Sequence, residues 1–137
     1  MAVSWTSRVR YAECDQQGVA FNAHYLTWAD EASTDWWASL GLPWHELITR
    51  GGEPMVRAST LEWTSAARFG DTVTVDAETE SVGRTSVVVR FVVRVQDRVC
   101  CTVRTTYVWV TPDGAVPWPE DVRSALEASV TYRPSQD

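Results

Sequence analysis

A carboxylate, a glycine and an asparagine at a helix start stand close together in the stretch Tyr11-Ala-Glu-Cys-Asp-Gln-Gln-Gly-Val-Ala-Phe-Asn-Ala-His-Tyr25. Asp15 has the chemistry to attack a carbonyl carbon or to take a proton from water. Gly18 lets the backbone come close to a guest. Asn22 is a favoured N-cap, and the N–H groups that open a helix have no intrahelical partners and carry partial positive charge. A developing oxyanion is a natural occupant of such a place. The same residues also read as a turn aspartate and a helix cap with no chemistry at all.

Regular elements must hold this stretch from both sides. Before it, residues 3 to 12 read as a first strand, with Val3, Trp5, Val9 and Tyr11 on one face. After it, Tyr25, Trp28, Ala29, Ala32, Trp36 and Leu40 recur at helical spacing, which predicts a helix from Ala23 to Leu40 stopped by Gly41 and Pro43. Its other face carries Thr27, Asp30, Glu31, Thr34 and Asp35. Pro43 to Arg50 predicts a short helix, and Gly51-Gly52 a crossover. Four strands follow at about 54–68, 72–81, 85–96 and 99–111, the clearest having Val87, Val89, Phe91, Val93 and Val95 on one face and Arg90, Arg94 and Gln96 on the other. Short connections at Phe69-Gly-Asp71, Val82-Gly-Arg84 and Gln96-Asp-Arg98 predict hairpins and a largely antiparallel sheet. Pro119 to Ser129 predicts a last helix, and Arg133 to Asp137 a frayed end. With no repeat or linker in sight, residues 1–137 read as one domain.

Composition removes whole classes of function. A formal charge of −6 argues against nucleic acid, which needs a basic surface. All twelve basic residues are arginine, so neither a lysine Schiff base nor a P-loop lysine is possible. Cys14, Cys100 and Cys101 are an odd number with two adjacent, which suits reduced thiols and a cytoplasmic protein. No secretory leader pattern opens the sequence, and no apolar run approaches the ~20 residues that span a bilayer, so no membrane partner is expected. No Gly-x-Ser-x-Gly elbow and no metal-spaced Cys/His cluster is present, and neither metal nor cofactor is expected.

The run from Cys14 to Ser33, followed by Gly41-Leu-Pro43, resembles the signature of the 4-hydroxybenzoyl-CoA thioesterase family of hotdog proteins. Trp63-Thr-Ser-Ala-Ala-Arg-Phe-Gly-Asp71 is similar to that family's strand ending in Pro-Ala-Arg-x-Gly-Asp, with Ala66 in place of the proline. The resemblance implies an α+β hotdog fold, a long central helix wrapped by an antiparallel sheet of about five strands. It implies hydrolysis of an acyl thioester, on CoA or on a carrier protein, with Asp15 as nucleophile or general base and the backbone N–H at Asn22 polarising the thioester carbonyl. Gly18, Tyr25, Asp30 and Arg84 become candidate substrate-binding residues, Arg84 against CoA phosphates. A homodimer or homotetramer with sites at the subunit boundary is implied as well.

Other residues offer weaker chemistry. Glu31 matches the helix carboxylate of another hotdog branch, whose preceding His-Gly-Gly is missing here. His24 reads as a helix-start residue, and Cys14 as packing, since strand neighbours point to opposite sides and an adjacent carboxylate raises a thiol pKa. A hydratase would need a histidine five residues beyond Asp15, where Ala20 stands. A non-catalytic module that holds acyl-CoA or an acyl carrier is the remaining rival.

Overall fold

Apolar residues at every second position of the central strands dictate a sheet with one wet and one dry face, and the helix supplies what covers the dry one. A computed structural model of the chain describes residues 3–132; the end expected to fray, Arg133 to Asp137, lies outside the described residues. The strands are β1 (Val3–Arg8), β2 (Glu53–Trp63), β3 (Thr72–Val82), β4 (Ser86–Val95), β5 (Arg98–Thr111) and β6 (Gly114–Ala115). The helices are α1 (His24–Ser39), α2 (Trp44–Leu47) and α3 (Glu120–Ala128). The sheet runs β1-β3-β4-β5-β2, with β6 on β5 and every pairing between these strands antiparallel. Register shifts at Val56/Ala58, Thr79/Ser81 and Val93/Arg94 bend the strands so that the sheet curls.

The dry face is Val73, Val75 and Ala77 of β3, Val87, Val89, Phe91 and Val93 of β4, and Val103 of β5, all fully buried. Tyr25, Trp28, Ala29, Ala32 and Trp36 lay one stripe of α1 into that concavity. At the end of α1, Gly41 takes the left-handed conformation (φ +76°). Its N–H bonds Ala38 O at 3.0 Å, while the N–H of Leu42 bonds Trp37 O at 3.2 Å, a Schellman turn. The wet face is laced by ion pairs of Asp76 with Arg94, Glu78 with Arg90, and Glu80 with Arg104.

Four expectations need correction. The first strand stops at Arg8 and Tyr11–Glu13 tighten into a 3-10 turn, which turns Tyr11 out to 83% exposure rather than into the core. Asn22 does not cap α1, because Ala23 occupies the cap position and no side chain bonds there. The connection at Phe69-Gly-Asp71 is not a hairpin, since β2 pairs with β5 and β3 lies on the other side of β4. The chain crosses over there because residues 67 to 70 are drawn onto the Asp15 loop and the end of β1. Last, the alternation of Val99, Cys101, Val103, Tyr107 and Trp109 predicts Cys100 on the opposite, wet face, yet Cys100 is buried along with Cys101, because the shift at Val93/Arg94 puts an extra residue into β5.

Candidate functional site

Asp15 rides on a small hairpin. Cys14 and Ala20 form an isolated antiparallel bridge, Phe21 N–H donates to Glu13 O (2.8 Å) and Asp15 N–H to Val19 O (2.9 Å). At the tip, Gly18 adopts φ +76°, a conformation that strains any residue with a Cβ, and its N–H closes the turn onto Asp15 O at 3.0 Å. The Asp15 side chain takes part: Oδ1 accepts the Gln17 N–H at 2.8 Å, an Asx turn.

The two segments that carried the family resemblance meet here. Ala20 N–H donates to Ala67 O (2.8 Å) and Phe69 N–H to Gly18 O (3.1 Å), clamping the outer arm of the hairpin to residues 67–69. The buried Tyr25 reaches back from α1, its hydroxyl oxygen accepting the Ala67 N–H at 3.0 Å. Desolvation holds that phenol above its ordinary pKa. Asp71 completes the support, accepting the Arg68 N–H on Oδ2 (2.8 Å) and the Val9 N–H on its carbonyl (2.8 Å).

Two neighbouring depressions result. One, of about 620 Å³, is lined by Tyr11, Cys14, Asp15, Gln16, Gly18 and Phe69. The other, of about 250 Å³, is lined by Asn22 and Tyr25 together with Val19, Trp63, Ser65 and Ala66. Asp15 and Cys14 therefore share a cavity, contrary to the expectation that they diverge, because the chain turns at Asp15 instead of continuing as a strand. Tyr11 and Phe69, in edge-to-face contact at 6.1 Å, form the aromatic wall beside Asp15. At the helix start the N–H of His24 goes to Phe21 O, whereas among the described residues those of Asn22 and Ala23 have no partner.

The remaining candidates lie farther off. Asp30 stands two turns along α1, its carboxyl held above the usual carboxylate range by partial burial and then by Glu31. Arg84 sits in the β3–β4 hairpin, its carbonyl accepting the Trp118 N–H at 3.2 Å. That hairpin is at the far end of β3 from the site, roughly 30 Å away at about 3.3 Å per residue. Sequence reasoning passed over Glu13, which is 3% exposed and two residues before Asp15. The sequence carried no usable signal for it, because the 3-10 turn at Tyr11–Glu13 breaks the alternation that runs through Val9.

One long helix wrapped in a curled antiparallel sheet defines a protein of the hotdog fold. The sequence model of the thioesterase superfamily matches residues 17–102, and the chain belongs to that family. The match takes in Gly18, Asn22, Tyr25, Asp30 and Arg84 and begins just after Asp15. The chain is 27% identical over 79 residues to a 4-hydroxybenzoyl-CoA thioesterase of Pseudomonas sp. (strain CBS-3), a match that spans about half of that relative, 55% of each chain. Among solved structures it superposes on a protein from Thermus thermophilus of undefined function, with TM-score 0.88, 27% identity and 96% of this chain against 100% of that one. A gentisyl-coenzyme A thioesterase superposes with TM-score 0.82 and 25% identity, over 90% of this chain and 99% of that one. No described helix is long and apolar enough to cross a membrane.

Proposed function

We propose that the protein hydrolyses acyl thioesters, of CoA or of a carrier-protein pantetheine arm, at the junction of the Asp15 hairpin and the start of α1. The observation that carries this reading is an exposed carboxylate at a hairpin tip pinned against the backbone of both family segments, beside helix-start N–H groups with no partner. The Asx turn engages Oδ1 and leaves Oδ2 for chemistry. With the thioester oxygen on the Asn22 N–H, Oδ2 either attacks the carbonyl carbon or takes a proton from an attacking water. Both routes expel the thiolate and consume one water: attack by Asp15 forms a mixed anhydride that water then opens, whereas the general-base route gives the free acid directly. Trapping an acyl–Asp15 adduct in a single turnover, or finding ¹⁸O in the Asp15 carboxylate after a single turnover in ¹⁸O water, identifies the first route.

Gly18 keeps the path to Asp15 open, and Tyr25 shapes the neighbouring depression from inside. Asp30, on the open side of α1, is the candidate contact for the acyl group. Arg84 cannot reach Asp15 of its own chain, and a second copy resolves this. The edge strand β2 runs from the Arg84 end of the sheet at Glu53 to the site end at Trp63, and it exposes Met55, Val56 and Trp63. Two copies paired antiparallel along β2 bring each Arg84 to the other's Asp15 end, displaced by about three strand spacings, ~14 Å, within the span of a CoA nucleotide. Thiol release against aryl-, short-chain and long-chain acyl-CoA and acyl carrier protein is the test. Turnover of at least one class is expected; tight binding without turnover of any would make the protein a holding module.

A further inference from the structure

Glu13 is the one charged side chain classed as buried among the described residues, and the reaction above leaves it unused. Three donors meet its carboxylate. Oε1 accepts the backbone N–H of Arg10 at 2.7 Å; Oε2 accepts the indole N–H of Trp28 at 2.9 Å and Arg10 Nη2 at 3.3 Å. The Glu13 carbonyl meanwhile accepts the Phe21 N–H at 2.8 Å. One residue thus joins the chain entering the loop, the returning arm of the hairpin and the second turn of α1. Burial alone would raise its pKa, but the bonds from the Arg10 side chain and backbone and from Trp28 hold it below the usual carboxylate range, so it is ionised at neutral pH.

The location gives this anchor a consequence for chemistry. Glu13 and Phe21 are the base of the hairpin whose tip is Asp15, and Asn22 follows Phe21 directly. Whatever fixes that base against Trp28 fixes Asp15 relative to the Asn22 amide, and a shift of about 1 Å between reacting groups can cost ~10²-fold in rate. Both oxygens are needed as acceptors from two fixed N–H donors, the part-buried Arg10 amide and the buried Trp28 indole. A glutamine offers one oxygen and one NH₂, so one donor would face another donor. The Arg10 guanidinium, 74% exposed, adds little beyond this.

We propose that Glu13 is a positioning residue for Asp15, holding the Asp15 loop to the helix whose start carries the Asn22 amide. The inference rests on the proposed hydrolysis. The test is a cycle of Glu13→Gln, Asp15→Asn and the double variant, read as kcat, KM and Tm on a turned-over acyl-CoA. Glu13→Gln is expected to lower kcat about 10- to 100-fold with KM within about threefold, and to add no further loss of turnover in the Asp15→Asn background. Its effect on Tm is expected to be the same in both backgrounds. Wild-type kcat in folded Glu13→Gln, or an equal further loss of turnover in both backgrounds, would overturn the proposal and leave Glu13 a structural anchor. If Glu13→Gln does not fold, Trp28→Phe removes the donor from the helix side and must produce the same kcat loss; an unchanged kcat there also overturns it. Asp15→Asn turning over like wild type would instead take Asp15 out of the reaction, and with it the reading on which this inference rests.

Discussion

The two ends of α1 are built from opposite materials. At its start, hydrogen bonds do the positioning, mainly between backbone groups: Glu13 to Phe21, Asp15 to Val19, Ala20 to Ala67 and Phe69 to Gly18, with the Glu13 and Tyr25 side chains tying them to α1. At its far end, aromatic faces do it. Trp36 and Trp37 meet at 4.5 Å, Trp37 lies 6.3 Å from Tyr107 and 6.1 Å from Trp118, and Trp118 lies 5.7 Å from Trp109. A packed aromatic box is rigid and dry, while a loop held by its backbone leaves side chains free to face a ligand. Most of the eight tryptophans therefore serve the core, and only Trp63 borders the proposed site.

Substitutions can separate the two ends, and the largest effect belongs to the aromatic one. Trp36 is fully buried, and its indole N–H donates to Thr79 Oγ1 at 3.1 Å. Trp36→Ala is expected to cost about 3–5 kcal/mol in denaturant unfolding, a large share of a typical domain's stability. Trp36→Phe should cost much less, and turnover per folded molecule should survive in it. A hundredfold kcat loss in folded Trp36→Phe would show that the two ends are not independent.

Asp15→Asn comes next, with an expected kcat loss of roughly 10²-fold, about 2.7 kcal/mol of barrier. The asparagine Oδ1 can still accept from Gln17 N–H, so Tm and KM should hardly move. Near-wild-type turnover would shift attention to Glu31. A smaller effect is expected from Arg84→Ala at the other end: KM for a CoA thioester should rise several-fold at constant kcat, with no change for a pantetheine thioester that lacks the nucleotide phosphates. Equal loss on both substrates would mean that the Arg84 side chain is structural or touches the pantetheine arm that both substrates share.

The smallest effect concerns the thiols. Burial pushes Cys101 up to about 11, and Cys100 is fully enclosed, so near pH 8 a thiol-alkylating reagent should label Cys14 alone, the half-buried one, while Cys14→Ser, which adds no bulk beside Asp15, should leave turnover in place. The protonated Cys101 favours the folded state below the ordinary thiol pKa near 9, and this contribution should fade as pH rises through about 11. Mass spectrometry of the alkylated protein reads the labelling; loss of turnover in folded Cys14→Ser would make Cys14 a candidate nucleophile.

Periodicity made the fold legible: the alternation in β4 from Val87 to Val93 and the α1 stripe from Tyr25 to Trp36 reappear as buried faces, with Trp37 added and Val95 and Leu40 only partly buried. The β2 crossover was not legible, because a short connection looks like a hairpin until the strand order is known, and strand order depends on non-local pairing. At the site, the proximity of the two motif segments could be expected from their resemblance to a family, whereas the Glu13–Trp28 bond could not. Glutamate on a strand reads as solvated, and only the 3-10 turn at Tyr11–Glu13 rotates this one inward. The exposure of Tyr11 has the same cause.

The uncovered edge at β2 has a consequence for how the protein behaves on dilution. Met55, Val56 and Trp63 are each about half exposed in the single chain, along a strand whose outer backbone groups face away from β5. If two copies cover that edge as proposed, folding and association share one equilibrium. The thermal midpoint then climbs with protein concentration, each tenfold increase adding about 1.4 kcal/mol at 25 °C to the folded pair. A midpoint independent of concentration across the micromolar range would mean that the edge stands in solvent, and such an apolar edge would make the chain prone to strand-to-strand aggregation.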